Sequence, residues 1–372
     1  MLAAEPKALP KLQKPTSLLS PQLDFWLLGG ASLVTWLFLA ISGRFERVAG
    51  MGDLTMNLPM TISFVQILVN YPHFMASYHL CYRRGFAFLR RHWIQTLAVP
   101  AVLIAYMTYL GSLATDPTRN LQFRHGLSAL VMVMYFTVGW HYTKQAFGCV
   151  MAYANYSGYR MDGMQRESIR YAILSVWWYK FCYDSQVGMF TFSDLSGEKW
   201  PVLPDYTRVA TFLIFLVLQV WVVYRVLIHN ASQGRLPHIN MVVPYLAILV
   251  WTLPQLQFNP LCMAVIPFFH SLQYLAFVYR IEMSEDIRGH HGPLFPSLLA
   301  LGLIFVGWLT FMALPGNLDD LLANKRYCGV SYFVICFSLF INIHHYFLDN
   351  TLWKIRDDAL VSRALFGERP AR

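Results

Sequence analysis

Ten runs of mostly apolar residues, each near the twenty or so that a membrane-crossing helix needs, dominate this chain of 372 residues. They lie at roughly 24–42, 56–82, 93–114, 126–152, 168–190, 207–228, 240–256, 260–281, 294–314 and 328–350. In lipid a backbone must satisfy its own hydrogen bonds, and a helix does this within one segment. The pattern therefore predicts an all-α fold: a polytopic transmembrane helical bundle of about ten spans. Charged residues make up 13% of the chain against about 25% in soluble domains, which excludes an ordinary soluble domain. No repeat or low-complexity segment interrupts the series. One integral domain, 23–352, between cytoplasmic tails at 1–22 and 353–372, is the simplest division. The loop Asp184–Asp205 is the longest on the outer side and reads as a lid or a connector.

The net charge of +9 does not point to nucleic acid, because the basic residues sit in short loops between apolar runs. Lys7, Lys11, Lys14, Arg83, Arg84, Arg90, Arg91, Arg160, Arg166 and Arg170 all fall on one side. The other side holds far fewer, among them Arg44, Arg47, Arg119 and Arg124. The excess marks the inner side and puts both termini in the cytoplasm. A multi-pass protein of the bacterial inner membrane, with the lipid bilayer as its partner, is the expectation. Residues 1–20 are polar, carry Pro and Lys, and do not resemble a cleavable signal. The six cysteines, Cys81, Cys149, Cys182, Cys262, Cys328 and Cys336, form no CxxC pair, so neither a disulfide framework nor a zinc ribbon is expected.

Histidine is out of place in such runs, and four runs carry it at similar depth. They read Asn70-Tyr-Pro-His73 to His79, Trp140-His141-Tyr-Thr-Lys144-Gln145, Pro267-Phe-Phe-His270-Ser-Leu-Gln273-Tyr274, and Ile343-His344-His345 to Asp349-Asn350. Spans two, four, eight and ten all run from outside to inside, so these six histidines lie on the cytoplasmic side of the midplane. Of the twelve histidines in the chain, only His125 falls clearly outside. An intramembrane ionisable residue is a functional candidate because lipid offers it no partner. Imidazole suits iron, zinc and copper, and bundles build metal sites from inward-facing side chains on separate helices.

Helical spacing adds partners. His141, Lys144 and Gln145 share a face, as do His270, Gln273 and Tyr274. His345 and Asp349 are four apart, so the carboxylate is placed to take a free ring N–H, as partners of metal-bound histidine do. Pro72 loosens the helix beside His73. Each signal has a plainer alternative. A lone intramembrane histidine is often a hydrogen-bond partner between helices. His79 is either a ligand or interfacial, and His345 is preferred to His344 for its Asp349 partner. His290 and His291 lie in a polar loop, and His92, His229 and His238 read as interfacial. Lys144 needs an anion, a carbonyl or a polar ligand. Lys180 and Asp184 read as an ion pair between helices.

These four stretches resemble the series found in the bacterial integral-membrane carotene dioxygenases of the Brp/Blh type. That family carries a Pro-His pair, an Ile-His-Phe type stretch, a His-x-x-x-His stretch and a late Pro-His with a downstream Asp. The corresponding stretches are Pro72-His73, Trp140-His141-Tyr142, Phe269-His270 to Tyr274, and His344-His345 with Asp349. The resemblance implies a polytopic bundle with one non-haem iron, cleaving a carotene with O2, and iron ligands at His73, His141 and His270. Three positions differ. Tyr274 replaces the second histidine of the third stretch, His344 replaces the fourth proline, and Phe74-Met-Ala-Ser77 replaces Gly-Ala-Leu-Asp. The histidine-box di-iron desaturases fit less well, since their HxxxH and HxxHH spacings are missing.

The expectation is a membrane-embedded oxygenase with Fe(II) held by His73, His141, His270 and His345, with His344 and His79 as further candidates. Asp349 and Gln145 would support the metal. Lys144 and Tyr274 would act in the pocket on a polyene, isoprenoid or fatty-chain substrate, with an electron donor as a possible partner. A proton-coupled or ion transporter using these histidines and Lys144 is the alternative from another class. A haem protein of the b type, with two of the histidines as axial ligands, is a third.

Overall fold

The computed structural model describes residues 15–49, 65–190, 202–257, 260–284, 292–322, 331–353 and 359–367. Among the described residues every regular element is a helix. The principal ones are α1 (Ala31–Ala49), α2 (Tyr71–Tyr82), α3 (Val99–Ala114), α4 (Asn120–Tyr156), α5 (Gly163–Val187), α6 (Asp205–Val222), α7 (Ile239–Thr252), α8 (Pro260–Glu282), α9 (Phe295–Trp308), α10 (Tyr332–Leu352) and α11 (Ala359–Phe366). Residues 191–201 of the expected loop, His290, His291, residues 1–14 of the expected N-terminal tail, and 354–358 and 368–372 of the C-terminal one lie outside the described residues.

Among the described residues five helical stretches are long and apolar enough to cross a membrane: Pro21–Ile41, Ile94–Ala114, Asp205–Ala231, Phe295–Leu321 and Tyr332–Leu352. Their outward faces are apolar too. Leu213, Ile214, Val217 and Val220 on α6, and Leu298, Leu301 and Phe305 on α9, are all exposed. Contiguous apolar surface of this kind belongs against lipid rather than water, so the bilayer is the surrounding medium. The five differ in position. Only 11% of the stretch containing α9 is buried inside the protein, against 50% of α10. α9 is therefore peripheral and α10 central. α10 packs against α2 and α4, and α8 packs against α2.

Local chemistry fixes these positions. Asp319, buried at the end of the α9 stretch, accepts hydrogen bonds from Phe333 N (2.8 Å) and Val334 N (3.0 Å). It thereby satisfies amides at the start of α10 that have no partner within the helix. Asp24 does similar work near the N-terminus, accepting from Leu18 N (2.8 Å), Leu19 N (3.0 Å) and the Tyr153 hydroxyl. α5 opens with a capping box of Asp162 and Gln165. Gly307 lets α9 close on the α2 segment, since a Cβ there would stand 2.8 Å from Tyr71 Cβ and 3.1 Å from its carbonyl carbon. Small residues at such crossings are how membrane helices approach closely. Lys180 and Asp184, expected to pair between helices, instead pair with each other along α5 at 2.5 Å; their i,i+4 spacing allows it. Residues 359–367 do not hang free. Tyr156 Oη donates to Leu365 O (2.9 Å) and Arg280 Nε donates to Ala364 O (3.1 Å).

Asp319→Ala removes the acceptor for two amides. It is expected to lower stability by about 1–2 kcal/mol, the usual cost of losing a helix cap. Thermal unfolding of the detergent-solubilised protein measures it, and an unchanged midpoint would contradict this role for Asp319.

Candidate metal centre

His73, His141, His270 and His345 converge from α2, α4, α8 and α10, with one ring nitrogen from each within 4.8 Å of all the others. All four are buried: His345 is 0% exposed, His73 and His270 1%, His141 6%. The rings meet in a closed cycle. Centroids are 5.2 Å apart for His73 and His270, and 4.8 Å for His270–His141, His141–His345 and His345–His73. The planes of each neighbouring pair are steeply inclined, between 69° and 89°. With a metal–nitrogen bond of about 2.1 Å, imidazoles bound to one ion at 90–110° stand about 4.6–5.3 Å apart, centre to centre. The observed separations lie in that range.

Each ring is aimed by its own helix. The backbone before His73 takes a wide π turn at Gln66–Asn70, ahead of Pro72. Proline brings no N–H, so the ladder is already loosened there. His73 Nδ1 lies 2.6 Å from the Asn70 carbonyl and 2.8 Å from Ser271 Oγ. A carbonyl only accepts, so Nδ1 carries the proton and Nε2 presents its lone pair. That Nε2 has no hydrogen-bond partner. A metal-bound histidine usually holds its far N–H in this manner. His270 faces His141 with Nε2 atoms 3.0 Å apart. The Tyr142 ring stacks on His270 at 4.0 Å, and Tyr346 stacks on His141 at 4.8 Å. Neither nitrogen of His345 has a hydrogen-bond partner.

Asp349, 4% exposed, sits beside the cycle. Its Oδ2 is 3.6 Å from His141 Nε2 and 3.5 Å from His345 Nε2, and makes no hydrogen bond. Its Oδ1 accepts from Tyr274 Oη at 2.9 Å, and Ser77 Oγ contacts the same phenol. Tyr274 thus adjoins the site, its ring 5.4 Å from His73 and 5.8 Å from His345.

Other expected residues are elsewhere. His344 is turned away: its Nε2 donates to the Gln95 carbonyl at 3.0 Å, and its Nδ1 accepts from Tyr78 Oη at 2.9 Å. Successive helical residues project in different directions, so His344 and His345 cannot both face one centre. His79 lies 3.6 Å from Glu282 Oε1, outside the cluster. Lys144 does not line the pocket. It is exposed on α4, its amine in contact with Asn350 Oδ1 and 5.7 Å from the Trp140 ring. Gln145 acts on backbone: its Nε2 donates to His270 O at 2.9 Å and to Gln273 Oε1 at 3.0 Å. Gln273 Nε2 in turn donates to Leu28 O. Asn70, Ser77, Ser271 and Tyr346 were not anticipated. Asn70, three residues before His73, was the detectable one, since that spacing reaches the ring; the others act across helices.

A buried polar atom left without a partner costs about 1–3 kcal/mol, so several lone pairs directed at one point call for a cation. Alanine in place of His73, His141, His270 or His345 is expected to abolish metal retention, while His344→Ala retains it. Metal analysis of the purified variants tests this, and metal lost equally from His344→Ala would contradict the assignment.

Comparisons with protein-family models, with curated proteins and with solved structures find no match to this chain.

Proposed function

We propose that this protein is a membrane-embedded non-haem iron oxygenase that uses O2 on a lipophilic substrate. The observation that carries the proposal is the convergence of four buried imidazoles, among which His73 Nε2 and the His345 ring nitrogens have no hydrogen-bond partner. Imidazole nitrogens favour first-row ions such as iron, zinc and copper. Iron is chosen among them because O2 activation needs an ion that can change oxidation state, which zinc does not, and because the resemblance to the Brp/Blh-type dioxygenases implies iron. Bound there, the ion would supply oxygen activation. The chain holds it, excludes water and positions the substrate.

An apolar wall supports the substrate class. Phe74 packs 4.1 Å from the His73 ring and 4.8 Å from His345, centre to centre. Beyond it lie Phe311, Met75, Ile341 and Tyr346. Phe311 belongs to the peripheral α9 stretch, so the wall runs from the metal side towards the lipid-facing helix. A polyene, isoprenoid or fatty chain entering from the bilayer would find apolar contact along it, and water would be excluded from a reactive site. Cleavage of a carbon–carbon double bond with both oxygen atoms entering the products needs no reductant. Insertion of one oxygen atom needs two electrons from a donor. On this proposal all ten apolar runs cross the membrane, with both termini cytoplasmic, and the metal lies in the inner half of a bacterial inner membrane. The resemblance to the Brp/Blh-type dioxygenases supports the same chemistry.

Haem is disfavoured because four rings in mutual edge contact leave no slot for a macrocycle between two axial ligands. A proton relay is disfavoured because its groups would be strung across the bilayer, whereas these meet at a point.

Protein purified without chelator from metal-replete cells is expected to carry about one iron per chain, the load of a single mononuclear site, with no haem band. Metal-free protein under those conditions would overturn the proposal. Phe74→Ala is expected to keep the iron and to raise KM for a polyene or fatty substrate in an oxygen-consumption assay, with a smaller effect on kcat. Loss of iron from that variant would contradict the role of the wall.

A further inference from the structure

We infer that Asp349 is itself a metal ligand, so that the centre is built from four imidazoles and one carboxylate. This deepens the metal-centre proposal and rests on it. The competing role for Asp349 is the one expected from spacing alone, to accept the ring N–H of a ligating His345.

The geometry favours direct ligation. A carboxylate that accepts a charge-assisted N–H···O bond stands at about 2.7–2.9 Å. Asp349 Oδ2 instead stands 3.5 Å from His345 Nε2 and 3.6 Å from His141 Nε2, nearly equidistant from two rings on two helices. Two donors on one ion with bonds of about 2.1 Å are about 3.0 Å apart at 90° and about 3.6 Å apart at 120°. The spacing to these two rings is that of co-ligands; Asp349 stands outside the group of four rings whose nitrogens lie within 4.8 Å of one another, so ligation asks the carboxylate to close on the ion. His141 Nε2 is also the atom that meets His270 Nε2 at 3.0 Å, so it faces the interior of the cycle. An oxygen beside it lies on the metal side of the ring.

Hydrogen bonding singles out the same oxygen. Tyr274 Oη occupies Oδ1 at 2.9 Å and sets the carboxylate's orientation, while Oδ2 has no partner although Asp349 is buried. Charge points the same way. Four neutral imidazoles leave a divalent ion uncompensated in a low-dielectric interior, where charge is costly. One carboxylate halves that charge. The set suits a divalent first-row ion that accepts five or six ligands, and it leaves one position of an octahedron open to a small molecule.

Cobalt(II) loaded into the metal-free full-length protein reads coordination number from the intensity of its visible bands. Five- and six-coordinate cobalt absorbs weakly, and four-coordinate cobalt absorbs several-fold more strongly. The wild type is expected to show weak bands. Asp349→Ala is expected to intensify them several-fold, with added acetate returning the spectrum towards the wild type. A carboxylate acting only through the His345 ring would leave the coordination number unchanged, so a wild-type band intensity in Asp349→Ala overturns the inference and leaves the metal centre intact. Failure of the wild type to bind either cobalt or iron removes the metal centre and this inference with it. If Asp349→Ala does not fold, the isosteric Asp349→Asn keeps the shape and the Tyr274 contact. An amide is a weaker ligand than a carboxylate, so this variant is expected to change the cobalt bands, and a wild-type spectrum in it would equally overturn the inference.

Discussion

Desolvated nitrogen lone pairs govern this structure. An imidazole nitrogen or carboxylate oxygen buried without a partner works against folding by about 1–3 kcal/mol, and the bundle gathers several in one place: His73 Nε2, the His345 ring and Asp349 Oδ2. They do not relax apart because what surrounds them is satisfied. His73 is held by the Asn70 carbonyl and Ser271. The backbone of His270 is tied to Gln145, and through Gln273 to the turn at Leu28. Asp349 is held by Tyr274, and α10 by the Asp319 cap. Strain held at a centre by a well-bonded frame is the usual signature of a binding site rather than of a packing fault.

The same polar demand explains a division among the helices. Length and apolarity alone single out five stretches as membrane-crossing, yet only α10 among them carries a histidine of the cluster. α2, α4 and α8 are less apolar because they bear the polar groups that the centre needs, including Asn70, Gln145, Ser271 and Gln273. Protein on several sides shelters those groups, so lipid never has to solvate them. The peripheral α6 and α9 stretches show the converse, with little polar content and most of their surface facing outward.

Depth was legible in the sequence, and rotation about each helix axis was not. Counting residues from the ends of the apolar runs put His73, His141, His270 and His345 at one level, because rise per residue is nearly constant. The i,i+4 relation to Asp349 favours His345 over His344, and the structure brings His345 and not His344 into the cluster, since neighbouring residues diverge. The same shared-face rule misplaced Lys144. It lies near His141 along α4, but three residues leave about 60° of rotation at 3.6 residues per turn, enough to carry its amine to the outer surface beside Asn350. Contacts such as Ser77 with Tyr274 or Gln145 with the His270 carbonyl link residues more than a hundred positions apart. Such contacts depend on how neighbouring helices pack, which no pattern within one run encodes.

Charge balance ties these observations together. Lys144 is exposed on α4 with its amine against Asn350, the residue after Asp349. A cation there opposes a metal ion in the same low-dielectric region, and the Asp349 carboxylate lies between the two demands. With its Oδ1 held by Tyr274, Oδ2 remains free to meet the ion. On the proposed reading the ion would keep one net positive charge beside the apolar wall headed by Phe74. Such a centre would offer a small molecule one open position, and a long apolar substrate would be held beside it by packing rather than by coordination. On that reading the histidines and Asp349 would serve the chemistry, and Phe74 and its neighbours the choice of substrate.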